Sequence, residues 1–501
     1  MVEITDRVLI ESLEKKLPNI EVKELEQSIE ELHKTNDIDN FKKHQLDIQN
    51  KLSIIYLKKL LFLWKQKQDS FQPNQANNRK MLFEEIIDLC AEIYPHIVNI
   101  TCKPFIFSSP LRHGDIEIKN LRIIIDSSTF IQALKKEQDF AFETNKIRRD
   151  NIIHQFRVFL LGQYFLSKYE HIVNWLWEDL WDFLPRNFQC KEHPDKEKII
   201  LGVWALASLF HDCGRGIESF YKNLRGLKAC FEEIFRIFEV DMPAINTDMQ
   251  LNDLWERKKE TFFKLLEYFM DRGGKSKYYK KIKSLLERAI ENSNHGILSA
   301  LLITYAEAGP LICRWNKKDM QLSMDISADE GTDTSILAKV RTMVKKSQKA
   351  TGEVISKVTL PFYSALAIAF HDIEEYWFLT PLTQFLILCD NLQEWNRLTK
   401  LGDQSIMIFP CEKIQLDVER KENFCIKVQI FYREREGEKS ELEREIFKRW
   451  DPKKRWSDFK EKVKAKQTAD LFELYKNQVC AKITIIYSKN GEEKTIKISI
   501  P

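Results

Sequence analysis

The chain is poor in residues that break regular structure: its 501 positions include only 15 glycines and 14 prolines. With Lys, Glu, Leu and Ile plentiful, that scarcity argues against a turn-rich sandwich or barrel and for long helices. Paired cysteines are also lacking. The ten present, at 90, 102, 190, 213, 230, 313, 389, 411, 425 and 480, stand singly, with no Cys-x-x-Cys. A zinc knuckle or redox pair is thereby disfavoured, and buried free thiols in a reducing compartment are the plainer account. No apolar run reaches the roughly 18 residues that span a bilayer; Leu360 to Cys389 comes nearest and is broken by His371, Asp372, Glu374 and Glu375. Met1 to Leu17 alternates charged with apolar residues and lacks the marks of a signal peptide. Charge bias is missing too, with 78 basic against 75 acidic residues and a formal charge of +3, which neither demands nor excludes a nucleic-acid partner. These absences predict a cytoplasmic protein without a membrane span. No internal repeat or low-complexity segment is found.

What is present suggests two or three domains. Residues 1–140 read as an N-terminal helical region, with Leu52, Ile55, Tyr56, Leu60 and Leu61 at helical spacing, followed by a small β-hairpin around Ile116 to Ile125. Residues 141–401 carry long apolar-striped helices. Residues 402–501 change texture: Ile406 to Ile408, Ile414 to Val418, Phe424 to Phe431 and Val479 to Ile485 are β-prone. The last is answered across Asn490-Gly491 by Thr495 to Ile500, a strong hairpin signal. A charged helical stretch, Ser440 to Lys476, interrupts these strands. The fold class expected is mainly α, a helical core with a small C-terminal α+β domain.

Chemistry concentrates in the middle region. Gly202 to Phe210 is an apolar helix that ends in His211-Asp212-Cys213-Gly214-Arg215. Burying an ionised carboxylate beside an imidazole costs several kcal/mol unless something pairs with it, and a divalent cation is an efficient partner. Gly214 lets the chain leave the helix and brings Arg215 near any anion that metals would hold.

His211-Asp212-Cys213-Gly214-Arg215 resembles the signature His-Asp-apolar-Gly-Lys/Arg of the HD phosphohydrolase superfamily, and further elements follow in that family's order. Asp150-Asn151-Ile-Ile-His154 resembles the helix of the first histidine, and Asn294-His295-Gly296 that of the next. Ala369-Phe370-His371-Asp372 and Phe385-Leu-Ile-Leu-Cys-Asp390 are similar to the last two. The likeness covers Asp150 to Arg397 and implies an HD-domain core with two divalent metal ions (Mn, Fe, Co, Ni, Zn or Mg). By position, one ion falls to His154, His211, Asp212 and Asp390, the second to Asp212, His295 and His371, with Asp212 as the bridge. It further implies hydrolysis of a phosphate ester or anhydride by metal-activated water, with Asp212 and Arg215 as catalytic residues and Arg215 neutralising a phosphate oxygen; the resemblance leaves the substrate unassigned, and a nucleotide or nucleic-acid phosphoester is the one expected. The segment after His371 departs from the branch that cleaves cyclic dinucleotides, because Asp372-Ile-Glu-Glu stands where that branch has a second histidine and Gly-Tyr-Pro.

Plainer readings remain beside these. Asp390 could pair with Arg157 or Arg397, and Arg215 with Glu218. Asp372 could orient a ligand imidazole or be an exposed carboxylate. The tryptophans 175, 177 and 181 fit core packing better than base stacking, and the Lys-rich stretches 275–283 and 453–466 fit solvated faces. Two other functions use the same residues: a non-catalytic nucleotide-binding sensor or scaffold that engages a protein partner through its terminal domains, and a di-iron oxygenase.

Overall fold

The structure is a computed structural model. It describes residues 2–34, 38–69, most of 85–101, 147–149, 151–183, 196–215, 218, most of 259–270, nearly all of 276–303, 360–373, 380–393, 399–401, 404–406, 411–419, 425–433, four residues within 454–458, 480–489 and 492–500. The hairpin expected at Ile116 to Ile125 lies outside these residues, as does nearly all of the charged stretch Ser440 to Lys476.

Three helices open the chain, α1 (Asp6–Lys16), α2 (Val22–Lys34) and α3 (Ile38–Asp69). The central body is built from α4 (Ile152–Lys168), α5 (Glu170–Phe183), α6 (Lys196–Phe210), α7 (Tyr279–Glu291), α8 (His295–Ile303), α9 (Leu360–His371) and α10 (Pro381–Leu392). α10 is started by Thr380, whose hydroxyl accepts from Thr383 N, with Pro381 in the first turn, a pairing that suits a helix entrance. α7 is striped, burying Ile282, Leu285 and Leu286. By contrast, every residue of α9 and nearly every residue of α4 is buried. A helix apolar all round belongs inside the body, and α4, α6, α9 and α10 pack against one another there, with α8 laid on α9.

The α4–α6 crossing is close because Gly162 has no side chain. A Cβ there would lie 2.1 Å from the Trp204 ring, whose indole N–H donates to Phe159 O at 3.0 Å. Phe385 lies across the same ring, centroids 4.7 Å apart. Trp177 is buried in this core and Trp175 packs against it.

Strands β5 (Cys411–Glu419), β6 (Cys425–Arg433), β7 (Cys480–Lys489) and β8 (Glu492–Ile500) form a sheet in that order. β7 and β8 are antiparallel and close on the pair Lys489–Glu492, leaving Asn490 and Gly491 as the connection. β6 and β7 are parallel, which requires a long crossover between them; residues 456–458 in that crossover are helical and Trp456 is buried. The sheet gains a member that sequence patterning did not suggest: β1 (Val2–Glu3) pairs antiparallel with β5, and Ile4 N donates to Ile414 O at 2.8 Å. A two-residue strand carries no alternation to read. A second sheet joins β2 (Ile147–Arg149), β3 (Thr399–Leu401) and β4 (Gln404–Ile406), so the segments that enter and leave the helical body are hydrogen-bonded to each other. Among the described residues no helix is long and apolar enough to cross a membrane.

A buried ion pair fastens α1 to α4. Arg157 Nε donates to both oxygens of Asp6, at 3.0 and 3.1 Å, and a terminal guanidinium nitrogen adds a bond of 2.8 Å. Removing one partner leaves the other charged and buried, which costs about 3–5 kcal/mol. Asp6→Ala is therefore expected to lower the unfolding free energy by about that amount, and Asp6→Leu combined with Arg157→Met by clearly less. Denaturant melts of the two variants check the order; equal losses would contradict it.

Candidate metal centre

Five helix ends meet at one place. α6 and α9 finish in the same tripeptide, Phe210-His211-Asp212 and Phe370-His371-Asp372. α8 begins on His295, α4 carries His154 in its first turn, and α10 carries Asp390 in its last. Three of these are helix C-termini, where unpaired carbonyls place partial negative charge that favours cations.

The rings are turned so that one nitrogen of each is engaged. Nδ1 of His211 donates to Ser208 O at 2.8 Å, Nδ1 of His371 to Ile368 O at 2.6 Å, and Nδ1 of His154 to Gln393 Oε1. A neutral imidazole that donates from Nδ1 presents a lone pair at Nε2. For His295, Nδ1 lies 3.0 Å from Asp372 Oδ2 and 3.3 Å from Glu218 Oε2.

The four Nε2 atoms face carboxylates. Asp212 Oδ1 lies 3.2 Å from His295 Nε2 and 3.7 Å from Nε2 of both His211 and His371. Asp390 Oδ1 lies 2.7 Å from His154 Nε2 and 3.7 Å from His211 Nε2. Two atoms bound to one ion at about 2.1 Å each, at ordinary angles, sit about 3.0–3.4 Å apart, so these spacings are of the right order for a shared cation. Two groups meet that geometry, His154–His211–Asp212 and Asp212–His295–His371, with the ligand atoms of each within 4.8 Å of one another. Asp212 belongs to both. The rings stack edge to face in a row, with centroids 5.4 Å apart from His154 to His211, 5.1 Å from His211 to His371 and 5.2 Å from His371 to His295.

Burial supplies the test of fit. His211 Nε2, His295 Nε2, His371 Nε2 and both Asp212 oxygens are shut off from solvent without a well-formed hydrogen bond. Such groups are costly to leave unmatched. Imidazole nitrogens and carboxylate oxygens are the donors that divalent ions bind, so these buried groups could hold a metal ion.

The electrostatics agree. Burial works to raise the pKa of Asp212, but the Arg215 guanidinium and the His211 imidazole outweigh it and hold the carboxyl well below the ordinary range. Burial acts the same way on Asp390 and is overcome by His154 and His211. For His295, burial and Arg215 push the imidazole down, yet Asp372 and Asp212 bring it well above 6.5. His211, lowered by burial, is raised overall by Asp212, Asp390 and its bond to Ser208. Arg215 Nε lies 2.7 Å from Asp212 Oδ2, with its side chain 38% exposed, so it leans on the central carboxylate from the solvent side.

Two glycines permit the approach of α8. A Cβ at Gly214 would lie 2.5 Å from His295 O, and Gly214 N donates to Ser299 Oγ at 2.7 Å. A Cβ at Gly296 would lie 2.9 Å from Ile368 O and 3.2 Å from His371 Cε1. The first turn of α8 is therefore clasped between the turn after α6 and the end of α9.

Each metal-ligand candidate named from the sequence lies in this cluster, with Arg215 beside it. Of the plainer pairings, Arg157 lies with Asp6 rather than Asp390. Sequence reasoning gave no role to three supporting residues. With its amide nitrogen toward Leu209 O at 3.1 Å, Gln155 accepts from the backbone N–H groups of Asp212 and Cys213, both at 3.2 Å. Gln393 anchors His154, and Asn294 starts α8 by accepting from Gly296 N. Their signal is adjacency: Gln155 follows His154, Gln393 stands three residues after Asp390, and Asn294 precedes His295.

A pH dependence follows. His211 and His295, raised above 6.5 in the folded chain, contribute stability that is full below pH 6.5 and is lost as pH rises through their folded values. Asp212 and Asp390, depressed below 3.8, contribute throughout that window and lose their contribution only as pH falls below 3.8 toward their folded values. In excess chelator the melting temperature is therefore expected to fall as pH is raised above 6.5, and His295→Asn should flatten the slope. Calorimetry across that range measures it; a melting temperature that rises with pH would contradict the assignment.

Compared with known proteins, the chain matches no family model, no curated protein and no solved structure.

Proposed function

We propose that the chain is an HD-type, metal-dependent phosphohydrolase that cleaves a nucleotide or nucleic-acid phosphoester. The observation that carries the reading is the position of Asp212: one buried carboxylate belongs to both His/Asp groups, and an arginine three residues on leans against its outer oxygen. That combination suits binding of a phosphate better than a purely structural metal, which would leave a neighbouring cation without a use.

His154, His211, Asp212 and Asp390 would hold one ion, and Asp212, His295 and His371 the second. When bound, such a pair of divalent ions, whether Mn, Fe, Co, Ni, Zn or Mg, supplies Lewis-acid polarisation of a phosphoryl group and an acidified water. The chain's own part is orientation. Nδ1 anchors at Ser208, Ile368 and Gln393 keep three rings from turning and aim each Nε2 at the carboxylates of the site, as outer hydrogen bonds do in metal sites generally. Arg215 can meet a phosphate oxygen with the guanidinium nitrogens it does not turn to Asp212, a charge-assisted contact that also fixes substrate direction.

Metal content of the purified protein, followed by a panel of nucleoside phosphates, cyclic nucleotides and single-stranded nucleic acids with Mn²⁺, Mg²⁺, Co²⁺ and Ni²⁺, tests the proposal. Two ions per chain and turnover of at least one substrate are expected. Asp212→Ala should abolish both, and Arg215→Ala should keep the ions while lowering kcat about 10²-fold, the usual effect of losing one transition-state donor. Ions without turnover of any substrate would leave a binding protein and end the hydrolase reading.

A further inference from the structure

The two candidate ion positions differ in charge. The first has two carboxylates in direct reach, Asp212 and Asp390, whereas the second has Asp212 alone beside its two imidazoles. Divalent ions bound by neutral imidazoles need anionic charge nearby to offset their own desolvation. The missing charge stands one ring further out. Of the four imidazoles, His295 is the one whose far nitrogen meets carboxylates, with Asp372 Oδ2 at 3.0 Å and Glu218 Oε2 at 3.3 Å. The far nitrogens of the others meet neutral oxygens, of Gln393, Ser208 and Ile368.

Asp372 is held in place. Asn294 Nδ2 donates to its Oδ2 at 2.8 Å, while Asn294 Oδ1 accepts from Gly296 N at 3.0 Å and Ile297 N at 3.4 Å. The residue that starts α8 thus ties Asp372 to the helix whose first residue is His295. His295 is gripped from both sides by the aspartates of the two matching tripeptides: Asp212 faces its Nε2 and Asp372 its Nδ1. The Nδ1 N–H is well aligned on neither outer carboxylate, so the interaction is mainly one of charge, which acts at this distance without strict alignment.

We propose that Asp372 is a positioning residue for the second ion: through His295 it sets the affinity of the Asp212–His295–His371 position and leaves the His154–His211–Asp390 side largely untouched. The proposal rests on the metal-binding reading given above and adds that the two ions bind unequally and depend on different outer residues. Replacing an outer partner of a ligand histidine commonly weakens metal affinity 10–100-fold. The Asp372 side chain is 41% exposed, so solvent screens it and the lower end, about 10-fold, is expected.

The test uses the full chain stripped with chelator and titrated with Mn²⁺ alone, followed by calorimetry and by electron paramagnetic resonance, which separates a spin-coupled Mn²⁺ pair from a single ion. Wild type should take up two ions and give the coupled spectrum. Asp372→Asn should keep the first step at wild-type affinity, weaken the second about 10-fold and give the single-ion spectrum at limiting Mn²⁺; Asp372→Glu should recover part of the second step. Equal weakening of both steps would mean a merely structural role, and unchanged affinities would mean no role; either overturns the proposal while the metal centre stands. A wild-type chain that takes up fewer than two ions overturns both.

Discussion

An ionised carboxylate at 1% side-chain exposure cannot persist without countercharge, and much of the central architecture serves to give Asp212 its surroundings. Arg215 covers one of its oxygens, three histidines face the other, and the backbone of its own turn is held by Gln155. These partners come from α4, α8, α9 and the turn after α6. The apolar packing of α4, α6, α9 and α10 therefore does more than bury surface. It fixes the distances across which a charge of either sign must act.

α4 shows how tightly the site and the scaffold are joined. His154, Gln155 and Arg157 lie within one turn and reach three ways, to Asp390, to the turn carrying Asp212 and to Asp6 in α1. A shift of α1 would be felt at Arg157, one turn from a candidate ligand. The N-terminal region is thus mechanically continuous with the centre although none of its described residues lies in it. β1, bonded to β5, ties the same region to the C-terminal sheet as well.

The sequence was most legible where one residue type is rare and its setting distinctive. Histidines at the ends or starts of apolar helices stand out from solvated ones, and the His-Asp-x-Gly-Arg run named the turn on which the others converge. Strands with alternating apolar residues around Asn490-Gly491 were readable for the same reason: periodicity carries the signal. What could not be read depends on a partner distant in sequence. Asp372 was equally compatible with solvent or with an imidazole until α8 was seen beside α9. Asp6 lies in an unremarkable amphipathic helix and looks exposed until Arg157 is placed opposite. Gln393 and Gln155 are marked in the sequence only by standing near Asp390 and His154, and their roles come from what their amides meet.

The pairing of Val2 and Glu3 with Leu416 and Gln415 has a consequence for how the protein is made. Val2 and Glu3 cannot take up their final hydrogen bonds until Cys411–Glu419, some four hundred residues further along the chain, has been synthesised and brought back to them. Closing so long a loop is entropically slow, which makes the edge of β5 one of the last parts of the nascent chain to be covered.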